Sequence, residues 1–137
     1  MLDTDTASYI IKRRSPAIEA KLADISPSQV CISAVTRAEL LYGLKRLLPT
    51  HRLHVAVKQF LRIVRTLPWD AEAADYYAEI RYRLVSTGQS IGELDMMIAA
   101  HSLSASAVLV TNNTRHYARM EMPLTLVNWT EAAGEDV

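Results

Sequence analysis

Apolar positions along this chain alternate between short continuous runs and stripes at helical spacing. Residues 29–35 carry Val30, Ile32 and Val35 and predict a short buried strand, and 107–110 form an unbroken apolar strand. Residues 123–127 predict a last strand, while Met1-Leu2 leave room only for a stub of one. Helices fill the intervals. Residues 6–11 end in Lys12-Arg13-Arg14, cations suited to a helix C-terminus, and Ser15-Pro16 stops them. Residues 17–24 place Ile18, Leu22 and Ile25 on one face before the Ser26-Pro27-Ser28 turn. Thr36 and Glu39 have capping-box spacing, so a helix is expected with Thr36 as N-cap and Glu39 at N3. Its stripe is Leu40, Leu41, Leu44, Leu47 and Leu48, closed by Pro49. Residues 50–65 form the clearest amphipathic helix, through Leu53, Val57, Phe60, Leu61 and Val64. After extended Leu67-Pro68-Trp69, Asp70 caps a helix to about Ser86 that buries Ala73, Tyr77, Ile80 and Leu84. A loop at 87–90 precedes a helix of small and apolar residues from Met96 to Ala105, with Asp95 in its first turn.

This alternation predicts an α/β fold with a central, mostly parallel sheet, as one domain over 1–137 with a frayed tail at 134–137. Ligands in such folds bind at the carboxyl ends of the strands. Asp3, the turn at 36–39 and Thr111 to Asn113 all follow strand ends, so three distant segments point to one sheet edge.

Charge alters the picture only locally. Lys and Arg number 15, balanced by 15 acidic residues. Yet no acidic residue lies between Glu39 and Asp70, an interval that holds Lys58, Arg62 and Arg65 among six cations. That stripe fits a solvated face and an anionic partner such as an RNA backbone about equally. The one cysteine, Cys31, sits in an apolar run and is expected as a small buried hydrophobe in a reducing cytoplasm. No 18-residue apolar run or signal-like start occurs, so no membrane span is expected.

Candidate chemistry rests on carboxylates. Asp3 or Asp5 alone fits a helix N-cap, Glu39 a capping box, and Asp95 the complement of a helix dipole. Gathered at one edge, they would repel one another unless a cation intervened. Without Cys or paired His at ligand spacing, a hard ion such as Mg²⁺ or Mn²⁺ suits them, and phosphodiester hydrolysis is the natural reaction.

Leu2-Asp3-Thr4-Asp5, Ala38-Glu39-Leu40-X-Tyr42-Gly43, Ile91-Gly92-X-X-Asp95-X-X-Ile98-Ala99-Ala100-His101 and Leu109-Val110-Thr111-Asn112-Asn113 stand in the order and spacing of PIN-domain toxins of the VapC type. Leu67-Pro68-Trp69-Asp70 and Asn128-Trp129 extend the resemblance over essentially the whole chain. It implies a PIN-like three-layer α/β/α sandwich and a Mg²⁺-dependent endoribonuclease (Mn²⁺ as substitute), the toxin of a type II toxin–antitoxin pair. By position, Asp3 and Asp95 are its principal metal ligands. Glu39 is the third acidic member, binding metal directly or through water or positioning the nucleophile. Asp5, Thr111 and Asn113 are accessory candidates. The family often carries a fourth acidic residue after the last apolar strand, where this chain has Asn113 and His116, which puts a second metal in question. Asp5 stands where the family usually has a neutral residue and replaces part of that charge. Family members commonly carry a few residues before Leu-Asp, so either the first strand is truncated, weakening the sheet's centre, or the native start lies upstream.

The resemblance also implies a cognate antitoxin whose C-terminal segment crosses the acidic pocket, a homodimer, higher toxin–antitoxin complexes and an RNA substrate. The helical hairpin over 36–47 and 50–65 is the expected docking surface. Two alternatives stand beside it. A catalytically weak PIN-fold binding module follows from the absent fourth carboxylate. A haloacid-dehalogenase-type phosphatase using Asp3 and Asp5 would need a full strand before the motif and a Gly-Asp pair downstream, and the chain has neither.

Overall fold

The sheet is built around two or three residues. In the computed structural model, which describes residues 1–130, Leu2 bridges in parallel to Ile32 on one side and to Val110 on the other. Strand β1 (Cys31–Ser33) pairs in parallel with β2 (Arg65–Leu67), and β3 (Leu109–Val110) with β4 (Leu126–Val127). The order is therefore β2, β1, the Leu2 segment, β3, β4, with every pairing among the described residues parallel. The stub expected at Met1-Leu2 is the central strand. Despite its length it is hydrogen-bonded on both sides: Leu2 N donates to Cys31 O at 2.9 Å, Asp3 N to Val110 O at 2.9 Å, and Val110 N to Met1 O at 2.8 Å.

Helices α1 (Thr4–Lys12), α2 (Pro16–Ala23), α3 (Ala34–Lys45), α4 (Leu53–Ile63), α5 (Ala71–Ser86), α6 (Glu93–Ser104) and α7 (Thr114–Ala118) complete the described chain, with a 3₁₀ turn at Pro27–Gln29. Two apolar clusters give the three layers. Leu2, Ile32 and Val110 join Ala7, Ile18, Phe60 and Val64 on one face. Leu109 joins Val35, Ile80, Leu84, Ile98 and Ala99 on the other. Burying a Leu or Ile side chain is worth about 1.5–3 kcal/mol, so the fully buried Leu2 anchors the centre of the sheet.

Several expected boundaries move. The strand at 29–35 shrinks to three residues, and Val35 becomes the second residue of α3. Ser33, not Thr36, is the N-cap of α3, its Oγ accepting from Val35 N at 3.1 Å. Thr36 lies buried inside the first turn, so the capping box is not formed. The helix expected over 50–65 ends at Ile63 because Arg65 enters β2. Helix α7 falls in an interval to which the hydrophobic pattern assigns no element. Cys31 is half-buried rather than buried. The stripe of α3 buries Leu44, half-buries Leu40 and Leu47, and leaves Leu48 75% exposed. The tail at 134–137 lies outside the described residues.

Candidate active site

A parallel sheet in this order reverses between the Leu2 segment and β3, and the crevice at such a reversal is where ligands of α/β folds bind. Asp3 and Thr111 are the first residues past those two strands. Asp3 is the N-cap of α1, its Oδ1 accepting from Thr6 N at 2.8 Å. It is only 5% exposed. Burial pushes the Asp3 carboxyl above its ordinary range, the Thr111 and Thr6 bonds oppose the rise, and Asp5 adds to it. Of the two explanations for Asp3, the cap is formed, and it uses Oδ1.

Glu39 lies a turn and a half into α3 and is half-buried. The hydroxyl of Thr4 donates to its Oε1 at 2.7 Å and lies 3.2 Å from Thr36 Oγ1. Burial raises the Glu39 carboxyl, the Thr4 bond opposes this, and the charges of Asp95, Asp5 and Asp3 raise it further. Asp95 is in the first turn of α6, as expected. Each of its oxygens meets a side chain of α7: Tyr117 OH donates to Oδ1 at 3.3 Å, and His116 Nε2 lies 3.3 Å from Oδ2. Tyr117 is buried, and burial, with the charges of Asp95 and Asp3, holds its phenol firmly protonated. Glu39 thus feels the charge of Asp3 and of Asp95, which come from two other segments.

Thr111 is fully buried and accepts from Asn113 N at 3.0 Å, which fixes its hydroxyl toward Asp3. Asn113 itself is exposed at the start of α7, and Asp5 is exposed in the first turn of α1. Thr4, His116 and Tyr117 are site residues that sequence reasoning did not single out as such. The basic stripe stands elsewhere. Lys58, Arg62 and Arg65 are exposed, and Arg65 opens β2 beside Cys31, at the sheet edge opposite Asp3. The cations closer to the acidic residues are Lys12 and Arg46, which line a 390 Å³ groove with Thr4, Asp5, Glu39 and Leu40. Across α3, Thr4, Glu39 and Arg46 also border a 790 Å³ groove walled by Tyr42, Trp69, Leu94 and Met97.

No three His, Cys, Asp or Glu side chains among the described residues enclose a metal position. The donors nevertheless fit a hard divalent ion. They are carboxylates, and Mg²⁺ is commonly held by one or two carboxylates with water and substrate phosphate completing the shell.

The PIN domain family model matches residues 1–121. Over 120 residues the chain is 36% identical to the tRNA(fMet)-specific endonuclease VapC of Salmonella typhimurium, spanning 88% of this chain and 90% of that protein. It is 34% identical over 129 residues to ribonuclease VapC2 of Haemophilus influenzae, spanning 94% and 96%. The crystal structure of DNA-bound VapBC from Salmonella typhimurium superposes with a TM-score of 0.86 at 34% identity, over 94% of this chain and 96% of that one. This chain, with Asp3, Glu39 and Asp95 at the switch point of its sheet, belongs to the PIN-domain family and is of the VapC type.

Proposed function

We propose that this chain is a divalent-metal-dependent endoribonuclease, the toxin of a type II toxin–antitoxin pair, that hydrolyses phosphodiester bonds of structured RNA. The observation that carries the reading is the convergence of Asp3, Glu39 and Asp95 from three segments, close enough that Asp95 and Asp3 both raise the Glu39 carboxyl. Asp3 and Asp95 would hold the ion, Mg²⁺ or Mn²⁺. When bound, it supplies Lewis-acid activation of water and neutralises charge developing on the phosphate.

The remaining chemistry belongs to the chain's own residues. Thr6 N holds the Asp3 carboxylate and Tyr117 that of Asp95, so neither has to be oriented when substrate arrives. Thr4 occupies Oε1 of Glu39, which leaves Oε2 to accept a proton from the attacking water. A carboxyl raised by burial is better matched to that role than an exposed one. Lys12 and Arg46 supply the cationic wall along which an RNA strand would approach.

The relative from Salmonella typhimurium is named for tRNA(fMet), which makes that RNA the first substrate to try. The solved neighbours bear the paired name VapBC, which supports a cognate antitoxin as the partner. Leu48, Tyr42 and Val55, 75%, 67% and 61% exposed on and between α3 and α4, offer apolar surface for that partner or for a second copy of the chain.

The test incubates purified protein with transfer RNAs and Mg²⁺ or Mn²⁺, beside Asp3→Asn and Asp95→Asn. Cleavage by wild type and its loss in both variants is the expected result. A wild type that binds RNA without cutting it would instead favour the binding-module reading, for which His116 in place of an acidic residue is the supporting observation. Membership of the PIN family leaves no ground for the phosphatase alternative.

A further inference from the structure

The fourth side chain at the acidic edge is an imidazole. His116 lies in α7 with Nε2 3.3 Å from Asp95 Oδ2, its ring set edge-on to Tyr117 at 85°. As an ion pair that distance is long, since charge-assisted N–H···O⁻ contacts run about 2.7–2.9 Å. As the spacing of two ligands on one ion it is close. Donors about 2.1 Å from a divalent cation and at right angles to each other lie ~3.0 Å apart. Neither side chain is sealed off: 24% of the His116 side chain and 44% of that of Asp95 are exposed.

The other histidines are engaged elsewhere. His51 Nδ1 accepts from Leu53 N, and His54 Nε2 bonds to Leu48 O, both at the α3–α4 connection. His101 is buried against Ser33. The imidazole within reach of the acidic residues is therefore His116. We infer that His116 supplies a nitrogen ligand to the divalent ion held at Asp95, and that this biases the site toward Mn²⁺ over Mg²⁺. The inference rests on the metal-dependent reading above. Mg²⁺ prefers an all-oxygen shell, whereas imidazole suits transition ions, so a nitrogen donor in place of a carboxylate removes negative charge and shifts the preference in that direction.

Pulsed EPR of Mn²⁺ bound to the full chain tests this without reference to activity. Wild type is expected to show ¹⁴N coupling from a directly bound nitrogen, and His116→Gln to lose it. The same substitution should weaken Mn²⁺ binding, measured by calorimetry, at least about tenfold, and Mg²⁺ binding less. His116→Asp should bind without nitrogen coupling and move the preference toward Mg²⁺. Tyr117→Phe, which removes the other contact to Asp95, should keep the coupling and controls for disturbance of α7. Binding of Mn²⁺ that requires Asp95 yet shows no nitrogen coupling in wild type, or coupling that survives in His116→Gln, overturns the inference and leaves the metal-dependent reading standing. Failure of wild type to bind Mn²⁺ at all would overturn both.

Discussion

Two strand-to-helix turns at the same edge of the sheet solve one problem with different chemistry. At the first, Asp3 ends the Leu2 segment and caps α1; at the second, Ser33 ends β1 and caps α3. Each side chain accepts a backbone N–H within the first turn, and each is buried. Ser33 uses its remaining capacity on His101 Nδ1 at 2.7 Å, a neutral bond that ties α3 to α6. Asp3 keeps a carboxylate whose charge burial and Asp5 both disfavour. The first turn thus holds a buried acid at the expense of stability, and the second does the reverse. Asn and Ser cap about as well as Asp, so nothing in helix capping requires a carboxylate at position 3.

Exchanging the charge while keeping the cap should separate the two roles most sharply. Asp3→Asn is expected to reduce RNA cleavage by about a hundredfold or more, the scale of losing a main electrostatic element of a site. Thermal unfolding of the same variant should occur at or above the wild-type temperature. The sign follows from the raised carboxyl: the folded chain holds this proton more tightly than the unfolded chain, so ionisation above that pKa weakens the fold, and Asn removes the penalty. A large drop in melting temperature would contradict this account of Asp3.

Ser33→Ala should do the opposite. It removes a cap and leaves a buried imidazole nitrogen without its partner, a loss of about 2–3 kcal/mol in chemical denaturation, with cleavage per folded molecule nearly retained. The same pair predicts a pH effect. Burial lowers the His101 pKa, with the charge of Asp70 opposing, so the unfolded chain takes up the proton first. The stability this provides is complete above the unfolded value of about 6.5 and is lost as pH falls toward the folded value. His101→Gln should flatten the stability profile between about pH 5 and pH 7. The smallest effect is expected from Thr4→Val, which frees Glu39 Oε1. Cleavage should fall about tenfold or less, with stability changed by no more than about 1 kcal/mol, the net worth of one hydrogen bond.

The comparison also explains what could be read in advance. Asp70 as the cap of α5, Ala73, Ile80 and Leu84 on its buried face and Asp95 in the first turn of α6 follow from local spacing, and the structure has them, while Tyr77, expected on that face, is only half-buried. Local spacing points to Thr36 as the cap of α3, whereas Ser33, three residues earlier, fills that place. Part of the reason is His101, 68 positions away, which holds the Ser33 hydroxyl at the end of β1. Helix α7 has five residues and little apolar periodicity, so the pattern of the sequence does not announce it. The value of α7 to the site lies in where Tyr117 and His116 fall relative to Asp95, which is tertiary information. Thr4 was part of the motif, but its bond to Glu39 spans 35 positions and leaves no local mark.

The central strand has a consequence for when the site comes into being. Asp3 is made long before Val110, yet its backbone N–H is held by Val110 O, and Thr111 favours the charged form of its carboxyl. A chain emerging at about 5–20 residues per second therefore carries its Asp3 for several seconds before β3 exists to fix it. The cap from Thr6 is local, but the bonds of Asp3 to Val110, of Glu39 to Thr4 and of Asp95 to α7 close over longer separations, the kind that form slowly. The acidic residues of a nascent chain should consequently stay unarranged until β3 and α7 have emerged and packed.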